Sequence, residues 1–138
     1  MVITKYLKVN TKGHTDVIDI TGGCQNLLSS TDLRSGIINI FNPGSTGSIT
    51  TIEYEPNLVK DFKDALEVVA PSDKVYAHSM TWHDDNGSSH IRSTLMGPSL
   101  TVPFVDGELV LGTWQQIIFC DFDTRSRSRK LVIQIIGE

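Results

Sequence analysis

Only two cysteines, Cys24 and Cys120, occur in the 138 residues, far apart and in no CxxC arrangement. That scarcity argues against a disulfide framework and a cysteine zinc knuckle, and leaves two buried, reduced thiols as the expectation. No apolar run approaches the roughly 20 residues that span a bilayer. Met1 to Thr11 alternates apolar and polar residues where a signal peptide would need an unbroken apolar block. A soluble, cytoplasmic chain with no membrane partner is therefore expected. Excess positive charge is missing as well: 12 lysines and arginines against 16 acidic residues give a net charge of −4. Such a chain repels a phosphate backbone at long range, which disfavours nucleic acid as a partner. No serine lies in a GxSxG segment, so a serine hydrolase is disfavoured. Walker A and HExxH spacings are also absent, and neither a P-loop nor a metal site can be read from spacing alone. There is no internal repeat and no low-complexity tract.

What is present is an ordinary globular composition, 39% hydrophobic and 20% charged, on a length that suits one domain over residues 1–138. Val2 to Val9 alternates with period two and predicts a half-buried strand that Gly13 breaks; Asp16 to Ile20 predicts a second. Thr21, Leu27, Leu28 and Leu33 suggest a helix with Gly36 as its stop, and Gly36 to Phe41 predicts a buried strand running into the loop Asn42 to Ser48. Leu58, Val59, Phe62, Leu66 and Val69 fall on one helical face between Pro56, suited to the first turn, and Pro71, which ends the helix. Pro71 to Ser89 is polar and irregular, long for a structureless loop, and such loops are often functional. Leu100 to Val105, Asp106-Gly107 and Leu109 to Leu111 predict strand, tight turn, strand. Trp114 to Phe122 and Leu131 to Ile136 complete the strands, with Thr124 to Lys130 as a connection able to close a long hairpin. The expected class is α+β, a largely antiparallel sheet or sandwich with at least two packed helices.

Residues able to carry chemistry gather between His78 and Gln115. His78, His83 and His90 fall within thirteen positions beside Asp84 and Asp85, and imidazole and carboxylate serve both metal binding and proton transfer. A polar loop with surface histidines gives the same pattern. Gly44 to Ser48 offers backbone amides and hydroxyls to an anion, or is an ordinary turn. Arg125, Arg127 and Arg129 share one face of an extended segment, either to bind phosphate or as a solvated strand edge that discourages aggregation. Trp114 and Gln115 pair an aromatic with an amide, suited to a heteroaromatic ring, though a core tryptophan is equally consistent.

Asn86-Gly87-Ser88-Ser89-His90-Ile91-Arg92-Ser93, then Leu95 to Pro103, then Gly107 to Ile117 with Gly112-Thr113-Trp114-Gln115 inside it, resemble the signature of the YjbQ family. The likeness extends upstream through Tyr76-Ala77-His78 and downstream through Asp121 and the arginine-rich segment to Gly137-Glu138. It implies a small α+β protein that forms a homotrimer. It also implies the secondary thiamine-phosphate synthase activity that some members show weakly, the primary role of the family being unsettled. His78 and His90 fall on two family histidines, Trp114 and Gln115 on the GTWQ motif, and Glu53 on a family glutamate. Many relatives carry histidine where this chain has Gly44 before Ser45 and Thr46, so a three-histidine metal site transferred whole would lose a ligand, for which His83 or an aspartate would have to substitute.

Two functions follow from that likeness. One is a transferase joining a pyrimidine diphosphate to a thiazole phosphate with release of pyrophosphate. There His78, His90 and Asp85 would be catalytic. Ser45, Thr46, Glu53, Asn86, Arg92, Trp114 and Gln115 would bind the phosphorylated ligand. His78, His90 and Asp84 would hold a divalent metal, Mg²⁺ or Zn²⁺. The other is a non-catalytic trimer that binds a small ligand or a metal.

Overall fold

The computed structural model describes residues 1–138. Its elements are β1 (Val2–Thr11), β2 (Asp16–Asp19), α1 (Thr21–Ser29), β3 (Ser35–Phe41), β4 (Gly47–Ile52), α2 (Pro56–Val69), α3 (His78–Trp82), α4 (Gly87–Met96), β5 (Ser99–Val105), β6 (Glu108–Leu109), β7 (Gln116–Asp121) and β8 (Arg127–Gly137). Every strand pair is antiparallel. The strands form a five-stranded sheet of order β1-β8-β3-β5-β6 and a three-stranded sheet of order β2-β7-β4. The α+β class with packed helices is thus the observed one.

Period-two alternation decides what each sheet buries. Inward residues of the larger sheet, among them Val9, Ile38, Ile40, Phe104, Leu131, Ile133 and Ile135, meet Ile49, Ile117 and Phe119 of the smaller sheet and Cys24 and Leu28 of α1 in the main core. The alternate residues of β7, Ile118 and Cys120, point the other way into a second core with Val17, Phe122 and Leu66 of α2, against which Phe62 and Met96 pack. β7 is therefore buried on both faces, which is why Ile117 to Cys120 reads as an unbroken apolar run. Its role is to hold the helical layer of α2 and α4 onto the sandwich.

The Asp106-Gly107 turn forms as expected, both residues having positive φ, 54° and 80°, as a type I′ hairpin requires. Glu55 caps α2 through Asn57 N and Leu58 N at 2.9 and 2.8 Å, and Pro56 occupies the first turn. Other expectations are corrected. α1 stops at Ser29, well before Gly36, because the hydroxyls of Ser30 and Thr31 donate to the carbonyls of Leu27 and Leu28, both at 2.7 Å, and satisfy the helix end. Val69 is 62% exposed and lies off the buried face of α2. Gly47 to Ile52 is a strand, and the stretch from Pro71 contains α3 and the start of α4. β7 and β8 do not form a hairpin: they lie in different sheets, and β8 begins at Arg127 within the presumed connection.

Cys24 and Cys120 are free, and burial pushes both thiols up to about 12. A thiolate is the reactive form, so the native protein is expected to leave a thiol reagent unreacted near neutral pH and to titrate both thiols after denaturation. Rapid native modification of either one would contradict this packing.

Candidate functional site

α3 is a single turn that ends in a left-handed His83, φ 56°, and this reversal returns the chain towards the helix it has just left. Asp84 then faces His78, with Nε2 3.4 Å from Oδ1. The Asn86 amide, oriented with its nitrogen towards Asp84, donates to both carboxylate oxygens at 3.0 and 3.2 Å. His90, one turn into α4, packs edge-on against His78 with ring centroids 4.6 Å apart and planes at 60°. His90, His78, Asp84 and Asn86 thus form one row. A carboxylate that orients an imidazole beside a second imidazole suits proton transfer or stabilisation of developing charge.

The row depends on Gly87. A Cβ there would lie 2.5 Å from Tyr76 Cβ and 2.7 Å from Tyr76 Cγ, so α4 can approach the segment before α3 only with glycine at that position. Gly87→Ala is expected to force these segments apart at a cost of about 1–3 kcal/mol. Thermal melting and the His78 and His90 imidazole resonances check this: an unchanged melt with unchanged ring shifts would contradict it.

Asp85 departs from this row, its Oδ1 accepting from the Thr124 hydroxyl at 2.8 Å. Arg92, expected as a phosphate contact, is 5% exposed and already engaged. Its guanidinium donates to Ala70 O at 3.1 and 2.9 Å, to Thr15 Oγ1 at 2.8 Å and to Glu67 Oε1 at 2.8 Å. It ties α4 to the end of α2 and to the turn before β2. The Ser72 amide and then Arg92 hold the Glu67 carboxyl down at about 2.

The remaining expected ligand contacts are scattered. Ser45 is exposed, and Thr46 is buried with its hydroxyl donating to Asp123 at 3.3 Å and accepting from Arg129 at 2.9 Å. Glu53 is exposed just beyond β4. Trp114 is exposed rather than in the core, and the Gln115 amide is engaged with Gly112 N at 3.1 Å and Thr51 Oγ1 at 3.4 Å. No hydrogen bond or ion pair joins any of these to the histidine pair. His83 is exposed, and its backbone forms the turn.

Arg127 and Arg129 are not a free phosphate clamp, each being tied to an aspartate, while Arg125 is exposed before β8 begins. β8 pairs with β1 from Arg127 to Ile136 and with β3 only from Val132 to Gly137, so Arg127 and Arg129 lie where β8 has one strand neighbour. Arg129 grips the fully buried Asp121 through Nε at 2.8 Å and a terminal nitrogen at 2.9 Å, and Arg127 pairs with Asp123 at 3.0 Å. Burial alone would raise the Asp121 carboxyl, but Arg129, Thr11 and the Asp123 amide outweigh it and hold the pKa low. The Asp-x-Asp spacing at 121 and 123, matched by Arg-x-Arg at 127 and 129, was the sequence signal for this pairing. A Cβ at Gly44 would stand 3.5 Å from Arg129 and Asn42, beside this cluster.

The metal reading fits this chain incompletely. His78, His90 and Asp84 are neighbours, yet no three His, Cys, Asp or Glu side chains converge to hold an ion, whereas zinc sites take three or four protein ligands.

A family model described as UPF0047 protein YjbQ-like matches residues 5–138. The chain belongs to the YjbQ family. A UPF0047 protein of Methanothermobacter thermautotrophicus is 37% identical over 137 residues, 99% of this chain and 94% of that relative. The YugU protein of Bacillus subtilis is 34% identical over 135 residues, 96% of this chain and 98% of its own length. Among solved structures, a YbjQ-like protein of unknown function from Sulfolobus solfataricus superposes with a TM-score of 0.94 at 28% identity, covering 100% of this chain and 99% of that one. A YjbQ/UPF0047 protein from Clostridium acetobutylicum does so with 0.86 at 31% identity, covering 96% and 99%. The YjbQ fold and family are therefore fixed; no activity comes with them.

Proposed function

We propose that this YjbQ protein acts on a small phosphorylated ligand at the His78–His90–Asp84 row, with thiamine-phosphate synthesis as the reaction to test. The observation that carries the reading is the Asp84-oriented His78 in edge contact with His90. In that reaction the thiazole nitrogen uses its lone pair to bond the pyrimidine methylene carbon. The carbon–oxygen bond to the diphosphate breaks, and its electrons leave with pyrophosphate. Imidazole N–H groups are suited to the charge that grows on the leaving oxygen. Magnesium enters as counter-ion of the diphosphate substrate, and Asp84 or Asp85 would give it one or two oxygens, the usual share for a phosphate-bound magnesium.

A cleft of about 200 Å³ between Tyr76, Ser79, Asp84, Asp85 and Gly87 meets the row at Asp84 but is lined by neither histidine, and it is smaller than the roughly 300 Å³ at which ligand pockets usually begin. The helices that carry the histidines also expose Met80, Trp82, Ile91 and Leu95. Both features suit a homotrimer whose neighbouring subunit completes the cleft, and a monomer by light scattering would defeat that part of the proposal.

The decisive assay is thiamine-phosphate formation from the two phosphorylated precursors with Mg²⁺, wild type against His90→Ala. Turnover that survives the substitution would place the chemistry elsewhere. No wild-type turnover, with zinc retained stoichiometrically through purification, would favour the binding-protein reading, in which a second subunit supplies the missing ligand.

A further inference from the structure

Asp85 also borders a cavity of about 320 Å³, lined by neither His78 nor His90, whose lining has one hydrophobic residue among ten. Thr15, Glu67, Asp85, Ser88, Arg92 and Thr124 form much of its wall. α4, ten residues long, begins at this wall without a side-chain cap, because the Asn86 amide that would stand at its N-terminus is turned to Asp84. The amides of Gly87, Ser88 and Ser89 meet no acceptor within the chain. Ser88 is 6% exposed, lines the cavity, and its hydroxyl has no partner, whereas Ser89 and Ser93 beside it donate to the Phe122 and Gly47 carbonyls. The Ser88 hydroxyl, which reaches the cavity from an otherwise buried residue, and the helix-start amides of Ser88 and Ser89 on its lining are donors awaiting an acceptor.

We infer that this cavity is a ligand site for a small molecule with an oxyanion at one end and a hydrogen-bond-donating ammonium or hydroxyl at the other. The oxyanion sits on the first turn of α4, where the amides and the positive end of the helix dipole face it, with the Ser88 hydroxyl as an added donor. Arg92 forms the back wall, but Glu67 balances its charge at 2.8 Å, so the helix start carries the attraction. The donor-binding group is Asp85, which lines the same cavity, its Oδ1 holding Thr124 and its Oδ2 without a partner. That carboxylate repels a bare dianion and welcomes a donor, so the site selects a molecule with both ends. It does not require the histidine row to be catalytic.

The test titrates the full-length protein with inorganic phosphate and, separately, O-phosphoethanolamine, following backbone amide resonances. Phosphoethanolamine is expected to move Gly87, Ser88 and Ser89 and to bind more tightly than phosphate. Ser88→Ala should weaken it about tenfold, the effect of one hydrogen bond to a charged group. Asp85→Asn should shrink the preference over phosphate by removing the selecting charge. His78→Ala should leave binding unchanged, so loss of synthase activity and loss of this site are separately visible. Unmoved amides at 87–89 with millimolar ligand, or equal affinities in wild type and Ser88→Ala, would overturn the site; phosphate bound as tightly as phosphoethanolamine would overturn the assigned ligand class.

Discussion

Arg129→Ala is expected to destabilise the protein by about 3–5 kcal/mol, the usual result of removing one partner from a buried ion pair. Asp121 is fully buried and accepts four hydrogen bonds, from Thr11 at 2.7 Å, from Arg129 at 2.8 and 2.9 Å, and from the Asp123 amide at 3.0 Å. Without Arg129 the carboxylate loses its opposite charge and two of those bonds while staying out of water. At roughly 3 °C per kcal/mol for a domain of this size, the melting temperature should fall by about 10–15 °C. The pH dependence separates this cause from a packing defect. In the wild type the Asp121 pKa lies below its unfolded value, about 3.9, so its contribution is present above that pH and lost as pH falls through the folded pKa. In Arg129→Ala burial is opposed only by the Thr11 and Asp123 hydrogen bonds, so the pKa rises relative to the wild type and the stabilisation that Asp121 gives above its unfolded value shrinks. The gap between the two proteins should be widest near neutral pH and narrow in acid. A gap independent of pH would mean that Arg129 acts through its aliphatic stem and not its charge.

If the histidine row performs the proposed chemistry, His90→Ala and His78→Ala each lower turnover by about 10²- to 10⁴-fold, the range for a positioned acid or base. Asp84→Asn should lower it less, since the amide keeps a polar oxygen beside His78 while losing the negative charge. The loss should fall on kcat with KM little changed, because the groups act on charge that develops after binding. His90→Gln keeps a polar side chain against His78 but cannot carry the proton, so it should be as inactive as alanine while melting like the wild type. Full activity in His90→Gln would assign the residue to packing alone.

Much of the fold was legible because local pattern and tertiary role agree. Val2 to Val9, Leu100 to Val105 and the Pro56 to Pro71 helix bury an apolar face against a polar outside, and Asp106-Gly107 is one of the few pairs that favour its turn. α4 was not legible because its buried face is polar: Ser88, Ser89, Arg92 and Ser93 are the side chains it packs, and hydrophobic periodicity has nothing to register in such a helix. β4 was hidden for a related reason, its Gly-Ser-Ile-Thr-Thr-Ile sequence continuing the serine and threonine composition of the loop before it.

The sequence by itself determined the α+β class, the antiparallel strands, two reduced cysteines and the neighbourhood of His78 and His90, since all of these rest on residue type and short-range spacing. Only the tertiary structure decided that β7 pairs with β2 and β4 while β8 pairs with β1 and β3. It alone put Arg129 on Asp121, engaged Arg92 with Glu67, and left Ser88 open to a cavity. Strand partners and ion pairs are chosen between residues far apart in the chain, where burial and charge balance across the whole fold, and no local pattern, set the outcome.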